Sequence, residues 1–336
     1  GFAGSTFERL FYVADVEIEG RLSHDAVHIC LAQSTITAFF PLKGGHRFRI
    51  VGTFPEDTDK REGEVLYEEI ERQIIADTQL QLDITRVNWF SVYKVHSRRV
   101  RQFSRGRCFV AGDAAHIHTP AGAQGMNTGI QDGYNLAWKL ALALRGADEK
   151  LLETYNQERL ANARHLLETT DRVFDFGANP DPFVAYFRTH IFPHLAHFAL
   201  NFDAVKHFVF PLISQIGVRY PDSALSDTGS THFKIKAGDR MPYFEVNGAS
   251  LYDALRQPKF HWLNFSDEAG GDARENTRWV DYHALPLHPQ AAEIFGADEP
   301  FQVLLRPDNY IGLIANGTAP DEIRDYLRRW LGEIGA

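Results

Sequence analysis

The sequence predicts an α/β fold of the α+β kind, and three observations predict it. Residues 1–104 alternate apolar and polar side chains at strand spacing; residues 105–175 run from a strand through an acidic turn and a Pro/Gly-rich loop into helices; a second, smaller α/β unit begins near residue 237. A sheet that returns along its own edge with one wet and one covered face reads as antiparallel, whereas strand-to-helix turns belong to the α/β part.

The first strands are Phe11–Ile18, Val27–Leu31 and Ile36–Leu42. A turn at Lys43-Gly44-Gly45 leads into His46–Val51, where charged and apolar residues alternate as on a half-buried strand. Residues 64–80 carry Val65, Ile70, Ile74 and Ile75 at helical spacing, and Asn88–Val95 returns to strand. Arg107–Asp113 reads as a short buried strand ending in Gly-Asp. A helix follows from Gln124 or Asn127 to Leu144, with Ile130, Tyr134, Ala137, Leu140, Ala141 and Leu144 as its apolar stripe and Gly146 as its stop. A second helix over 150–173 carries Leu152, Tyr155, Ala163, Leu166 and Val173. Residues 176–235 are rich in Phe, His and Pro and give no clear pattern. Lys236–Pro242 reads as a linker into a unit with strands Phe260–Phe265, Phe301–Leu305 and Asn309–Ile314, a turn at Arg306-Pro307-Asp308, and a last helix over 320–332.

Composition narrows the function classes. The chain has 336 residues with a formal charge of −9, which disfavours phosphate-backbone binding and so a nucleic-acid partner. The basic run Arg98-Arg99-Val100-Arg101 is offset elsewhere by Asp and Glu. No apolar run reaches the roughly 18 residues of a membrane span, and no secretory leader pattern opens the chain. The two cysteines, Cys30 and Cys108, lie in apolar strand-like runs and read as buried thiols in a reducing cytoplasm.

Chemistry concentrates in Gly106–Asn135. Gly112 permits a sharp turn and close approach of a ligand. Asp113 at a strand end accepts hydrogen bonds from sugar-like hydroxyls. Pro120 stiffens the loop, and Gly122 and Gly125 leave room for a planar ring against backbone. The N–H groups near Gly125-Met126-Asn127 open a helix, where they favour negative charge on a bound group.

This string resembles the FAD-dependent aromatic hydroxylases of the p-hydroxybenzoate and phenol hydroxylase type. The similarity runs on through Asp132, Asn135, Leu136, Trp138, Lys139, Leu140, Tyr155, Glu158 and Arg159. The resemblance implies that Asp113 binds the flavin ribityl chain. Pro120, Ala121 and Gly122 would lie against the reactive edge of the isoalloxazine, and Gly125, Met126 and Asn127 would face its pyrimidine edge. Upstream it covers Phe40–His46, Trp89–Tyr93 and Arg98, where the family sets its substrate sheet over the flavin. Tyr93 resembles a tyrosine brought near flavin and substrate, and a sheet tyrosine packing on the core is the competing reading. Arg98 is a candidate to hold Tyr93 or the flavin. Phe39 and Phe40 are candidates to line an aromatic substrate pocket, with core packing as the alternative.

Downstream, Ala237–Pro242, Ser250–Asp253 and Leu305–Asp308 resemble the thioredoxin-like C-terminal domain of the phenol hydroxylase branch. That domain holds no cysteine here, which excludes dithiol chemistry. The implied organisation is a substrate-binding sheet domain over 1–104 and the C-terminal part of a glutathione-reductase-like FAD domain with a helical extension over 105–235. The thioredoxin-like domain covers 236–336. The implied activity is a monooxygenase: NAD(P)H reduces FAD, O2 adds to give a flavin hydroperoxide, and an OH passes to a phenolic ring. Tyr93 and Pro120 are the residues nearest that chemistry. A homodimer is left open.

One departure matters. The family's Gly-x-Gly-x-x-Gly segment, which holds the ADP half of FAD, does not occur in this sequence. The chain alone is therefore expected to bind FAD poorly, and a cofactor-free fragment or dimerisation module is the main alternative. A metal hydrolase using Asp113, His116 and His118 is a weaker one, because His-x-His here falls inside the flavin motif; no metal is expected.

Overall fold

The computed structural model describes the chain except residues 21, 56–62, 121–123, 228–231, 247, 267–275 and 333–336. The first half contains β1 (Phe2–Glu19), β2 (His28–Leu31), β3 (Ile36–Pro41), β4 (Arg47–Thr53), α1 (Tyr67–Thr78), β5 (Asp83–Val100), β6 (Ser104–Arg105), β7 (Cys108–Phe109) and, after a tight turn at Gly112–Ala114, β8 (His116–Ile117). Then come α2 (Gly125–Ala143), α3 (Lys150–Ala178), α4 (Pro182–Tyr186), a π-helical turn at Phe187–Ile191, α5 (Phe192–Ala199) and α6 (Asp203–Ser214). The last stretch holds β9 (Glu245–Val246), β10 (Ala249–Ser250), α7 (Leu251–Ala254), β11 (Phe260–Phe265), β12 (Val280–Leu285), α8 (Pro289–Phe295), β13 (Phe301–Leu305), β14 (Ile311–Asn316) and α9 (Asp321–Leu331). The fold is mixed α/β with largely antiparallel sheets.

Two compact units result, each discontinuous in sequence. Unit 1 comprises Gly1–Arg101, His116–Gly125 and Arg164–Val209, and unit 2 comprises Gln102–Ala115, Met126–Ala163 and Phe210–Ala336. They do not follow the three consecutive segments expected from the sequence.

Unit 1 is built on a six-stranded sheet in the order β2-β3-β4-β1-β5-β8. β1 pairs antiparallel with both β4 and β5, with Phe11 opposite Thr53 on one side and Tyr93 on the other. Alternation sends Tyr12, Ala14, Val16, Phe39, Phe48 and Ile50 to one face, where they pack with Ile70 and Ile74 of α1. Phe11, Val95 and the half-buried Tyr93 and Ile36 go to the other face and pack with Phe174 and Ala178 of α3. The sheet is thus covered on both faces over part of its area. Arg188, fully buried, donates to the carbonyls of Phe176, Asn179, Ala32 and Gln33 and ties the 176–190 segment, which the sequence left unplaced, to the β2–β3 turn.

Unit 2 holds a four-stranded sheet in the order β12-β11-β13-β14. β11 runs parallel to β12 and antiparallel to β13, and β13 antiparallel to β14. β11 and β13 are buried along their whole length. Trp262, Leu304 and Leu313 on one face pack with Trp138, Leu142, Ile323 and Trp330, while Leu263, Phe265, Val303 and Ile314 on the other pack with Phe244 and Phe295. The sequence missed β12, whose pattern carries only one fully buried residue, Val280, and α8.

Five expectations need correction. Arg107–Asp113 is not a buried strand: only Cys108–Phe109 pairs, as a hairpin with β6, and Arg107 and Cys108 are exposed. The buried-thiol reading therefore fails for Cys108, and Cys30 is half-buried. The stripe assigned to α2 is the wrong face, because Ile130, Tyr134 and Leu144 are exposed and the buried residues are Thr128, Asp132, Asn135, Trp138, Lys139 and Leu142. On α3, Tyr155, Ala163 and Leu166 are buried as expected, but Val173 is exposed. Lys236–Pro242 is no loose linker: Gly238 and Met241 donate to Ile311 and Asn309, and Asp239 accepts from Ile311.

Candidate active site

The Gly-Asp motif sits in unit 2. Gly112 has a left-handed backbone, φ 56°, which favours glycine. Its backbone lies against α2: a Cβ on Gly129 would stand 3.3 Å from the Gly112 Cα. Asp132, one helical turn further along α2, accepts the Gly112 N–H at 2.9 Å and the Arg159 Nε at 2.6 Å. The turn is thus fastened to the first two turns of α2 by a small-residue contact and a charged acceptor. Asp113, the next residue, is exposed, and none of these contacts uses its carboxylate. Met126 and Asn127 are exposed at the α2 start, where first-turn N–H groups lack helical acceptors. Glycine turn, uncommitted carboxylate and helix start together suit a ligand with hydroxyl groups and an electron-rich edge.

Behind this turn lies a buried charged network. Glu158 accepts from Lys139 Nζ (2.8 Å), Asn135 Nδ2 (2.7 Å), Arg306 Nη1 (2.6 Å) and Ser223 Oγ (2.5 Å). Asp308 accepts from Arg306 Nη2 (2.6 Å) and Trp138 Nε1 (2.9 Å). Arg159 reaches Asp132, the Tyr220 hydroxyl (2.5 Å) and the Thr128 carbonyl (3.2 Å). Three cations, Lys139, Arg159 and Arg306, meet three carboxylates, Asp132, Glu158 and Asp308, so the buried cluster is neutral. Burial works to raise the Glu158 pKa, but Arg306 and Lys139 overcome it and hold the carboxyl well below the usual range. Most of the polar residues that carry the family resemblance downstream of the loop are this network. Their role is to set α2 and α3 behind the Gly112–Asp113 turn.

The remaining sequence-predicted residues lie in unit 1. Tyr93 on β5 is half-buried, its ring 6.0 Å from that of Phe11, and burial raises its pKa. Cross-strand register places Phe40, Arg49, Asp15 and Trp89 in one row across β3, β4, β1 and β5, on the same face as Tyr93. Arg49 binds Asp15 through two hydrogen bonds, 2.7 and 2.9 Å, so the row is aromatic at both ends and an ion pair in the middle. Trp89 is 51% exposed, leaving this part of the face open. Phe39 is corrected: it is fully buried on the opposite face, in the α1 core, and lines no open surface. Arg98 donates to Thr6 Oγ1 at 2.8 Å and makes no hydrogen bond to Tyr93 among the described residues; its Nε is buried without a partner. Pro120 is exposed, and Gly125 backs onto His118, whose Nε2 would stand 3.2 Å from a Cβ there. Ala121 and Gly122 lie outside the described residues. His116 and His118 stack at 6.3 Å, but among the described residues no three His, Cys, Asp or Glu are grouped to hold a metal. Sequence reading missed Gly129 as a contact and Trp89 as an open aromatic; the spacing of Trp89 and Tyr93 at four residues on one strand was the available signal.

Comparison with known proteins fits this architecture. Residues 1–170 match the family model of an FAD binding domain, and residues 235–333 that of the aromatic-ring hydroxylase C-terminal segment. The chain belongs to the FAD-dependent aromatic-ring hydroxylase family. It is similar to a flavin-dependent monooxygenase of Mycobacteroides abscessus, 32% identical over 98% of this chain and 62% of that protein. A 6-methylpretetramide 4-monooxygenase of Streptomyces rimosus is 32% identical over 76% of this chain and 47% of its own. An anhydrotetracycline hydroxylase structure from Streptomyces rimosus aligns with a TM-score of 0.72 at 26% identity, covering 99% of this chain and 66% of its own. The chain thus spans less than two thirds of the length of these relatives.

Proposed function

We propose that the full-length protein is a monooxygenase that hydroxylates a phenolic ring with NAD(P)H and O2. Bound FAD supplies the two-electron transfer and the activation of oxygen. The chain's own residues bind and orient. Asp113 accepts ribityl hydroxyls, the α2 start at Gly125, Met126 and Asn127 favours negative charge on the pyrimidine edge, and the loop at Pro120, Ala121 and Gly122 borders the flavin ring. Arg98, with an unpartnered Nε, is a second flavin contact in this reading. Tyr93 orients the substrate phenol by its hydroxyl, and Phe40 and Trp89 offer flat apolar surface to the ring. An open row with aromatic ends suits a fused-ring phenol, in keeping with the names of the relatives.

The observation that carries this reading is the Gly112–Asp113 turn, fastened to α2 by Asp132 and Gly129 with its carboxylate exposed. The test is Asp113→Ala in the full-length protein, with FAD affinity read by flavin fluorescence. Loss of a charged acceptor costs about 1.5–3 kcal/mol, and unchanged affinity would sink the assignment.

The same reading makes the C-terminal part thioredoxin-like. Numbering its strands in chain order gives a sheet order 2-1-3-4 with strands 1 and 2 parallel and 3 and 4 an antiparallel hairpin, flanked by α8 and α9. That arrangement supports a thioredoxin-like framework without its dithiol, since the cysteines are Cys30 and Cys108. A cytoplasmic location, where NAD(P)H is supplied, belongs to the same proposal. A homodimer remains part of the proposal, to be read by sedimentation; no helix among the described residues is long and apolar enough to cross a membrane.

A further inference from the structure

We propose that His261 and His283 form an acid-sensitive latch that holds β12, the outer strand of the unit 2 sheet, and releases it when the pair takes up a second proton. β12 has one strand neighbour, β11, and buries only Val280 fully. A segment with few buried apolar contacts at a sheet edge opens before the rest of the fold. Side-chain links to β11 therefore carry more of its attachment than they would for an inner strand. These links include Lys259 to Asp281 (2.7 Å), Asn264 Nδ2 to the Tyr282 hydroxyl (2.8 Å), and His261 Nδ1 to His283 Nε2 (3.1 Å).

The chemistry of the pair admits one added proton and not two. The Gln257 carbonyl can only accept, so His261 Nε2, 3.0 Å away, carries a hydrogen. In the neutral ring Nδ1 is then a lone pair, and it accepts from His283 Nε2–H. His283 Nδ1 is left as the remaining basic atom of the pair. The first proton goes there, and the ring-to-ring hydrogen bond survives in charge-assisted form. A second proton has only His261 Nδ1 to take, the atom that accepts this bond. It sets two N–H groups and two positive charges against each other across 3.1 Å, and the bond is lost.

The surroundings do not relieve that second charge. His261 is fully buried and His283 half-buried. Parallel register puts both, with Asp281 and Leu263, on the sheet face that Leu251, Leu255, Ala291 and Phe295 cover. β13 sets Leu305 opposite His261. Among the described residues, the charges facing the pair are thus Asp281 and Lys259, which are paired with each other. Burial pushes both histidine pKa values below their usual range, and the neighbouring His261 lowers that of His283 further. The latch is therefore fully closed above about pH 6.5, the ordinary histidine pKa, and weakens as the pH falls below it. None of these residues belongs to the flavin motif, so the inference is independent of the proposed hydroxylation.

The test is hydrogen–deuterium exchange of the full-length protein at pH 7.5 and pH 5, corrected for intrinsic exchange at each pH and read on peptides from β12 and β13. Carboxylates of ordinary pKa stay largely ionised over this range, so histidines carry the change. Protection of β12 should fall about tenfold at pH 5, within the limit of about thirtyfold set by one proton that binds only after opening. Protection of β13 should hold. His283→Gln should abolish the fall, because its carboxamide N–H donates to neutral His261 Nδ1 and its oxygen accepts once that atom is protonated. His283→Leu removes the bond in both states, so β12 protection should already be low at pH 7.5. Wild-type β12 protection that is equal at the two pH values overturns the proposal and needs no variant. So does an equal fall in β13, a fall of wild-type size in His283→Gln, or full β12 protection in His283→Leu at pH 7.5.

Discussion

The two interiors of unit 2 are built by opposite chemistry. β11 and β13 bury apolar side chains on both faces: Phe265 and Phe301 stack with centroids 4.6 Å apart, and Phe295 lies 5.0 Å from Phe301. The face that α2 buries carries, beside Trp138 and Leu142, the polar Thr128, Asp132, Asn135 and Lys139, matched by Arg159, Glu158, Arg306 and Asp308. Apolar packing tolerates rearrangement and sums over area. A closed ion cluster tolerates neither a missing member nor a shifted one, since each charge is buried only because its partners are there. The difference teaches where position matters: the charged interior stands behind the Gly112–Asp113 turn, whereas the apolar one supports the sheet.

Two substitutions should sharpen this contrast with the largest effects. Glu158→Ala leaves Lys139 and Arg306 without a buried partner, and a loss of about 3–5 kcal/mol is expected. Phe301→Ala, at a fully buried stacked ring, should cost about the same, about 3–5 kcal/mol, through a cavity. Denaturant titration at neutral pH would show two similar losses.

Changing the pH should then separate them. The Glu158 pKa is depressed in the folded state, so its contribution is complete above the unfolded carboxylate pKa of about 4.3. It is lost as pH falls from there towards the folded value. The gap between wild type and Glu158→Ala should therefore narrow on acidification below that point, while the Phe301→Ala gap stays nearly constant. Parallel pH profiles for both variants would show that Glu158 acts by packing rather than by charge.

A smaller effect is expected at the join between the charged interior and the turn. Gly129→Ala puts a Cβ 3.3 Å from the Gly112 Cα, which must give by a few tenths of an ångström. About 1–3 kcal/mol is expected for such overpacking, with FAD affinity of the full-length protein falling by more than the stability loss explains. A stability change with unaltered affinity would detach the turn from the site.

The smallest change is expected at Arg49→Ala. The Arg49–Asp15 pair is well formed at 2.7 Å, but the arginine side chain is 47% exposed. Solvent screening limits its worth to about 0.2–1 kcal/mol. A larger loss on thermal melting would mean that the open sheet face is more enclosed than its exposure indicates.

Legibility followed the same divide. β11, β13 and α9 were readable because apolar runs bounded by turn residues have one packing solution. β12, with one fully buried residue, gave no such signal. α2 was readable as a helix but not in its orientation. Ile130, Tyr134 and Leu144 recur at helical spacing, and so do Thr128, Asp132, Asn135 and Lys139; burial chose the second set. No periodicity rule prefers it, because the partners that make it buriable, Glu158, Arg159 and Asp308, lie on other elements, 19 to 173 residues away. Likewise Phe39 and Phe40 are neighbours of the same type, and only strand pairing sent one to the α1 core and the other to the row with Trp89.

By itself, then, the sequence determined the local grammar: strands from alternation, helices from spacing, and the Gly-Asp turn, loop and helix start from residues whose backbone and side-chain chemistry is intrinsic. Those properties act within a few residues and need no tertiary context. Tertiary structure decided which face of α2 is inside, how the chain divides into two discontinuous units, and which aromatic of each neighbouring pair faces the core. Each of these turns on compensation between residues far apart in the chain, a carboxylate against a guanidinium or a ring against a helix, and free energy of that kind exists only once the partners meet.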